Sequence, residues 1–379
     1  MKTLFAALLL SCNGFLFQAP VRYSVSADEV VLPADFDGDG LPEIVTSGNH
    51  VDQSGEFSLL RNLGDGTFAD ERLITTGFGE TLEQIADLDR DGVPDVVASS
   101  YWQNGIATYR GTPLQFGSRM ALDTATHGGP TRAVDYDGDG VTDLVSLSFG
   151  SGNPVRLHLF HGRADGTFDP KTTFDTTLAI AATPSLRMRE NQLEILASER
   201  SGHLGLLRWS PGGLSVSRLE AGPGFDLNSM FVDVNEDGIA DVVDTNDGGS
   251  EASGNPFEWI FVTLARPDGS FFPRRQLAQP RTMRLPTELR AADLDGDGHV
   301  DLLASDFRAT TIHWFRGQGT GAFERGVGVD AGGPVNDLAI GDVNHDGRPD
   351  VVTANNDHSV SVIMNRGRCS IDRRRAARH

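Results

Sequence analysis

The chain has 379 residues, with 53 Asp plus Glu against 32 Lys plus Arg and a formal net charge of -21. That balance excludes a nucleic-acid backbone as partner, because such binding needs clustered Lys and Arg to displace counterions. Gly supplies 44 residues and aromatics only 8%, which favours a turn-rich β protein, while 39% hydrophobic residues provide a core and exclude disorder.

The first predicted element is an address. MKTLFAALLLSCNG carries Lys2, an apolar run from Leu4 to Leu10 and then small residues, a secretory signal peptide over 1–14 that is too short to span a membrane. LLSC at 9–12 also resembles a bacterial lipobox, with Cys12 as the lipidated residue, so lipid anchoring stands as the alternative to free secretion. Either route places the protein outside the cytoplasm, secreted or at the cell surface. No later stretch approaches 18 apolar residues, so no membrane span is expected. Cys12 and Cys369 are the two cysteines, which excludes a disulfide scaffold and a Cys-rich zinc site.

From residue 15 the chain is a repeat. A nine-residue pattern, D-x-[DN]-x-D-G-x-x-[DE], starts at 35, 87, 135, 233, 293 and 342. The double-length gap in the middle holds LRMRENQLE (186–194) followed by ILAS, much as other copies are followed by VVAS or LLAS. It is read as a seventh copy that has lost its acidic residues. Each unit places a short apolar segment before the acidic loop and a β-branched run after it. A variable loop follows, then a second alternating run, a Gly-rich turn and a segment led by a Phe such as Phe68, Phe168, Phe271 or Phe323. Four short strands per unit of about fifty residues predict an all-β fold, a seven-bladed β-propeller of four-stranded blades over 15–367.

The two ends fit one device. The last unit stops after its third strand at VSVIMNRG, while FQAPVRYSV (17–25) matches a fourth strand such as FDPKTTF (168–174). The N-terminal strand is therefore expected to complete the last blade. Residues 368–379 fall outside the repeat as a basic tail, expected to be disordered.

The acidic loops have the spacing of calcium sites. Oxygens at positions 1, 3 and 5 of a tight loop point at one centre, Gly at position 6 permits the sharp turn, and position 7 offers a carbonyl. An EF-hand would add a bidentate Glu at position 12; here the acid stands at position 9 and β-branched residues follow, so the loop joins two strands. The ligand sets are Asp35, Asp37, Asp39 and Glu43; Asp87, Asp89, Asp91 and Asp95; and Asp135, Asp137, Asp139 and Asp143. The later ones are Asp233, Asn235, Asp237 and Asp241; Asp293, Asp295, Asp297 and Asp301; and Asp342, Asn344, Asp346 and Asp350. These hold 22 of the 53 carboxylates, and six Ca²⁺ would bring the formal charge from -21 to about -9. The copy with Leu186, Met188 and Glu190 at positions 1, 3 and 5 should bind no metal. His299 and His345, at positions 7 and 4, read as exposed bystanders.

These repeats resemble the FG-GAP/VCBS family, which includes the seven-bladed propeller head of integrin α subunits and bacterial secreted proteins and lectins. The resemblance covers nearly all of 17–367 and implies calcium in the hairpins joining first and second strands. A literal Phe-Gly…Gly-Ala-Pro cage survives only in fragments such as FHG (160–162) and GTF (166–168), so the integrin likeness is architectural.

Fold alone leaves function open. With the acidic loops on one rim, the variable loops lie on the other, and they contribute Tyr101, Trp102, His127, Phe225, Asp226, Asp306, Arg308, Asn356 and His358 as candidate ligand contacts. The expected function is a non-catalytic adhesion or recognition module for an extracellular protein or glycan, acting as a monomer with calcium mainly structural. The alternative is a secreted carbohydrate-active enzyme (lyase, dehydratase or hydrolase) on the same scaffold. The chain has no HExxH or G-x-S-x-G motif, and His158 and His161, three apart on an apparent strand, face opposite sides. A cluster of buried acids, His or Tyr opposite the calcium rim would separate the two classes.

Overall fold

The computed structural model describes residues 16–49, 55–76, 79–100, 105–123, 129–150, 153–178, 185–199, 203–219, 226–246, 259–277, 283, 286–306 and 309–367. The segment 1–14 expected to be a signal peptide, with Cys12, the basic tail with Cys369, and Tyr101, Trp102, His127, Phe225 and Arg308 lie outside the described residues, and of Asp226 only the backbone is described.

Alternating β-branched runs have a period of two, so each strand offers one face to each neighbouring blade. Val96 and Ala98 turn to the preceding blade and Val97 to the following one; likewise Val351 turns to the preceding blade and Val352 to the following one. The described strands number 28, in seven four-stranded antiparallel sheets, and no helix occurs among them. This is a seven-bladed β-propeller. Blade 1 illustrates the unit: Val30–Ala34, Glu43–Asn49, Gly55–Leu60 and Arg72–Thr75 pair in that order. The first strands of blades 2 to 7 are Glu80–Ala86, Thr131–Val134, Ser185–Arg189, Asp226–Val232, Pro286–Ala292 and Val335–Gly341. Each seam between blades has its own buried apolar cluster. The thinnest, between blades 4 and 5, is Leu196, Leu204, Leu206 and Val242.

The ring closes as the two chain ends require. Val21–Ser24 pairs with Ser359–Ile363 as the fourth strand of blade 7. Phe17 bridges Asn365 four residues before that strand, as Phe68 bridges Asn62 four residues before Arg72. The Phe-led segments are thus a bridge plus a short strand rather than one continuous strand. Phe168, Phe271 and Phe323 repeat this spacing. At the closing seam the Val31 backbone N–H donates to Asp337 Oδ2 at 3.0 Å.

Candidate metal centres

Each acidic loop joins the first and second strands of its blade, and the carboxylates organise the backbone that holds them. In blade 1, Asp35 accepts the Gly38 and Gly40 N–H groups at 2.8 and 2.9 Å, and Asp39 accepts that of Leu41 at 2.9 Å. Glu43 at position 9 is fully buried and accepts from the N–H of Phe36 at 2.9 Å. The other five loops repeat the position-6 bond to position 1 and the position-9 bond, while position 1 also holds the position-4 N–H in the loops at 87, 135 and 293. In these five the position-9 acid also takes the N–H of Gly111, Gly162, Ala265, Gly317 or Asn365 near the end of the third strand at 2.6–2.7 Å. Position 9 therefore ties loop, second strand and third-strand exit together. Two positions turn left-handed. Position 6 is Gly throughout, as expected; position 4 is Gly38, Gly138 or Gly296 in three loops but Arg90, Glu236 and His345 in the others, at φ of 63°, 61° and 58°.

The remaining oxygens converge. Three ligating atoms lie within 4.8 Å of one another in the sets Asp35–Asp37–Asp39, Asp87–Asp89–Asp95, Asp135–Asp137–Asp143 and Asp293–Asp295–Asp297. Loops 5 and 7 have Asn235 and Asn344 at position 3. Burial pushes the position-9 acids up, with neighbouring loop carboxylates adding to it: Asp241, Asp301 and Asp350 each to about 6, and Glu43, Asp95 and Asp143 in the same direction. Such a cluster, with oxygens fixed by backbone bonds and repelling one another, has the donor chemistry that a hard divalent cation would take.

A residue absent from the sequence reading stands beside each loop. Directly across from position 9, at the end of the third strand, stand Arg61, Arg110, His161, Leu264, Arg316 and Met364. Where position 3 is Asp, this neighbour is basic: Arg61 reaches Asp37 at 3.3 Å, Arg110 reaches Asp89 at 2.7 Å, and Arg316 Nε donates to Asp295 at 2.7 Å. Where position 3 is Asn, the neighbour is Leu264 or Met364. A position-3 carboxylate has an outer oxygen that needs compensation; an amide does not. His161 is the exception in chemistry, lying 3.1 Å from Asp137 and 3.3 Å from Asp143 through Nδ1. It stands just past the strand Asn153–Phe160, so the expectation that it merely opposes His158 on a strand is corrected; it joins the Asp137–Asp139 cluster. The spacing from position 9 to this neighbour varies from blade to blade, which hid the correlation.

Blade 4 shows what replaces the acidic cluster. Its first two strands, Ser185–Arg189 and Gln192–Ser198, meet in a two-residue turn with Glu190 and Asn191 at φ of 49° and 59°. Position 9 is not lost, contrary to expectation: Glu194 is fully buried between Arg187 and Arg208 at 2.7 and 2.6 Å. Burial opposes its charge, but the two guanidiniums outweigh burial and hold it below the usual carboxylate range. Arg208 occupies the same register position as Arg110. Two guanidiniums flank the position-9 acid in a blade whose loop lacks the acidic cluster.

Other expectations change as well. His299 is no bystander, since its Nδ1 meets Glu236 Oε1 of the neighbouring blade at 2.5 Å, and that bond raises its pKa. His345 is exposed as expected. Of the described ligand-surface candidates, Asp306 is only 6% exposed, so it is part of the interior at the end of its strand. Asn356 and His358 are exposed in one tight turn, where the His358 N–H donates to Asp28 at 3.0 Å.

The first strands carry charge into the central channel. Glu83 accepts from Arg132 at 3.2 Å, Glu288 from Asn228 at 3.0 Å and Arg290 at 3.1 Å, and Asp337 from Arg290 at 2.7 Å. Burial pushes Glu83 up and, with Asp337 nearby, lifts Glu288 to about 7.

The class is thus a seven-bladed propeller with acidic hairpin loops in six blades. The FG-GAP-like repeat profile matches 35–98, 87–146, 233–304 and 293–353, and the chain belongs to that family. No curated protein matches it in sequence. Among solved structures it is similar to a chain of BBS1N in complex with ARL6DN, soaked with mercury, at 12% identity and a TM-score of 0.63. A second, soaked with lead, gives 12% and 0.61; both alignments cover 92% of this chain and 97% of the other. At that identity the likeness shows the fold alone.

Proposed function

We propose that the chain is an extracellular calcium-binding propeller that recognises a protein or glycan ligand, with calcium mainly structural. The observation that carries this reading is the six-times-repeated acidic loop, whose carboxylates converge around a backbone-organised centre in the copies starting at 35, 87, 135 and 293. Oxygen-only ligands in a strand hairpin suit Ca²⁺, which takes 6–8 oxygens and binds extracellular modules with Kd of about 10⁻⁴–10⁻³ M. The signal-peptide pattern over 1–14 supports secretion or lipid anchoring at Cys12. Calcium titration of chelator-stripped protein is expected to show about six equivalents bound; no uptake would end the reading. A protein and glycan array probed with and without chelator tests recognition, and binding indifferent to chelator counts against a calcium requirement.

A second reading, a carbohydrate-active enzyme, is favoured by one observation: the largely buried acids Glu83, Glu288 and Asp337 lining the central channel. Turnover of a bound glycan that is lost in Glu288→Gln would favour it.

A further inference from the structure

The inner edge of each blade is an unpaired strand, and its N–H groups need partners. Side chains from neighbouring strands supply them: Ser47 Oγ accepts from Leu82 N at 2.9 Å, Gln84 Oε1 from Ala133 N at 2.8 Å, and Ser185 Oγ from Phe231 N at 3.2 Å. Glu83 and Asp337 do the same for Thr131 and Val31. So far the channel polar groups are explained as edge caps. Three are not. Arg132 forms all its hydrogen bonds through NH1, leaving Nε and NH2 unengaged among the described residues. Glu288 accepts through Oε2 alone and its side chain is 25% exposed. Ser229 is 4% exposed, and its Oγ has no hydrogen-bond partner among the described residues.

These groups line one cavity of about 660 Å³ on the ring axis, to which all seven first strands contribute. Arg132 and Glu288 sense one another electrostatically but share no hydrogen bond, so they face across it. The strands depart from regular pairing here. Blades 2, 5, 6 and 7 have bulges between Leu82 and Gln84, Asp226 and Asn228, Pro286 and Leu289, and Val335 and Asp337. A bulge re-aims a side chain, and Glu83 and Glu288 are bulged residues. The cavity lining carries four carboxylates, Glu29, Glu83, Glu288 and Asp337, and two guanidiniums, Arg132 and Arg290.

We propose that this channel is the ligand site and that it takes a neutral polyhydroxylated molecule, one or two sugar residues. The inference rests on the recognition reading and gives it a place and a ligand class. A sugar hydroxyl both donates and accepts, matching an unengaged guanidinium edge, carboxylate oxygen and serine hydroxyl in one cavity. The excess of carboxylates disfavours a polyanion, and the pairing of Glu83, Glu288 and Asp337 with the two guanidiniums disfavours a polycation. The volume lies within the range of about 300–1,000 Å³ usual for small-molecule sites. Of the lining residues, Ile85, Leu186 and Met230 are partly exposed and supply apolar wall for the C–H faces of a sugar ring.

Saturation-transfer NMR and calorimetry on the calcium-loaded full chain test this, with neutral mono- and disaccharides set against glucuronate, glutamate and spermidine. Neutral sugars are expected to bind in the millimolar to micromolar range. Ser229→Leu fills the cavity and Glu288→Gln removes an acceptor without changing shape; each should weaken binding at least about tenfold. The melting temperature of Glu288→Gln is expected to stay close to that of the unaltered protein, which guards against misfolding of Ser229→Leu. Absence of binding by any neutral sugar, binding of the charged probes alone, or unchanged affinity in both variants would overturn the assignment. If array binding falls with chelator while both variants retain it, this inference fails and the recognition reading stands.

Discussion

Chelation is the perturbation that touches most of the proposed chemistry at once. With Kd at the weak end of the extracellular range, about 10⁻³ M, calcium at about 10 mM is in tenfold excess over each site. Each occupied loop then stabilises the fold by about 1.4 kcal/mol, and six together by roughly 8 kcal/mol. An unfolding entropy of about 2.1 cal/mol/K per residue over about 350 propeller residues gives roughly 0.7 kcal/mol/K, so the melting temperature should fall by about 10 °C on calcium removal. The structure ranks the loops. Loops 1, 2 and 6 hold four carboxylates against a facing Arg, and loops 5 and 7 hold three. Loop 3 holds four and faces His161, which is charged only if protonated. Loop 3 should therefore release calcium last, and His161→Arg should bring it into line with the others. Differential scanning calorimetry with EDTA, with calcium, and with sodium at matched ionic strength is the assay. A melting curve that EDTA leaves unmoved would refute the reasoning, as would an equal shift produced by sodium.

Four further outcomes follow from particular contacts. Asp241, Asp301 and Asp350 titrate near 6 in the folded chain against an ordinary 3.8. Folding thus tightens their protons, so their contribution is fullest below the unfolded value and is lost as pH rises through about 6; calcium-free protein should gain stability on acidification from about pH 7 to about pH 5, a slope that calcium reduces. Asp301→Ala strands the buried N–H groups of Leu294 and Gly317 and should cost about 2–6 kcal/mol in urea unfolding even with EDTA present, whereas Asp297→Ala should matter mainly with calcium. Glu194→Ala leaves Arg187 and Arg208 without their shared carboxylate and should cost about 3–5 kcal/mol, with calcium stoichiometry unchanged. Deleting 16–25 removes the closing strand and Tyr23, whose ring packs edge-on to Phe68 at 5.7 Å; the bared edge of Ser359–Ile363 should drive association visible by light scattering.

Blade number, the acidic hairpins and closure by the N-terminal strand were all legible in the sequence, because each is a local pattern repeated in phase. A nine-residue loop carries its own turn chemistry, and a period-two run declares both buried faces without reference to its neighbours. FQAPVRYSV could be assigned to blade 7 because Phe17 stands at the same offset from its strand as Phe68 does. Only the tertiary structure could decide which residues meet across strands and blades. Arg110 faces the acid at Asp95 by strand register, and the intervening hairpin length differs from one unit to the next. The retained charge of Glu194 acquired meaning only once Arg187 and Arg208 were seen on either side of it. Arg132 and Glu288, three blades apart in the ring, share a cavity because the sheets close on themselves, and radial closure places side by side residues whose sequence separation carries no signal.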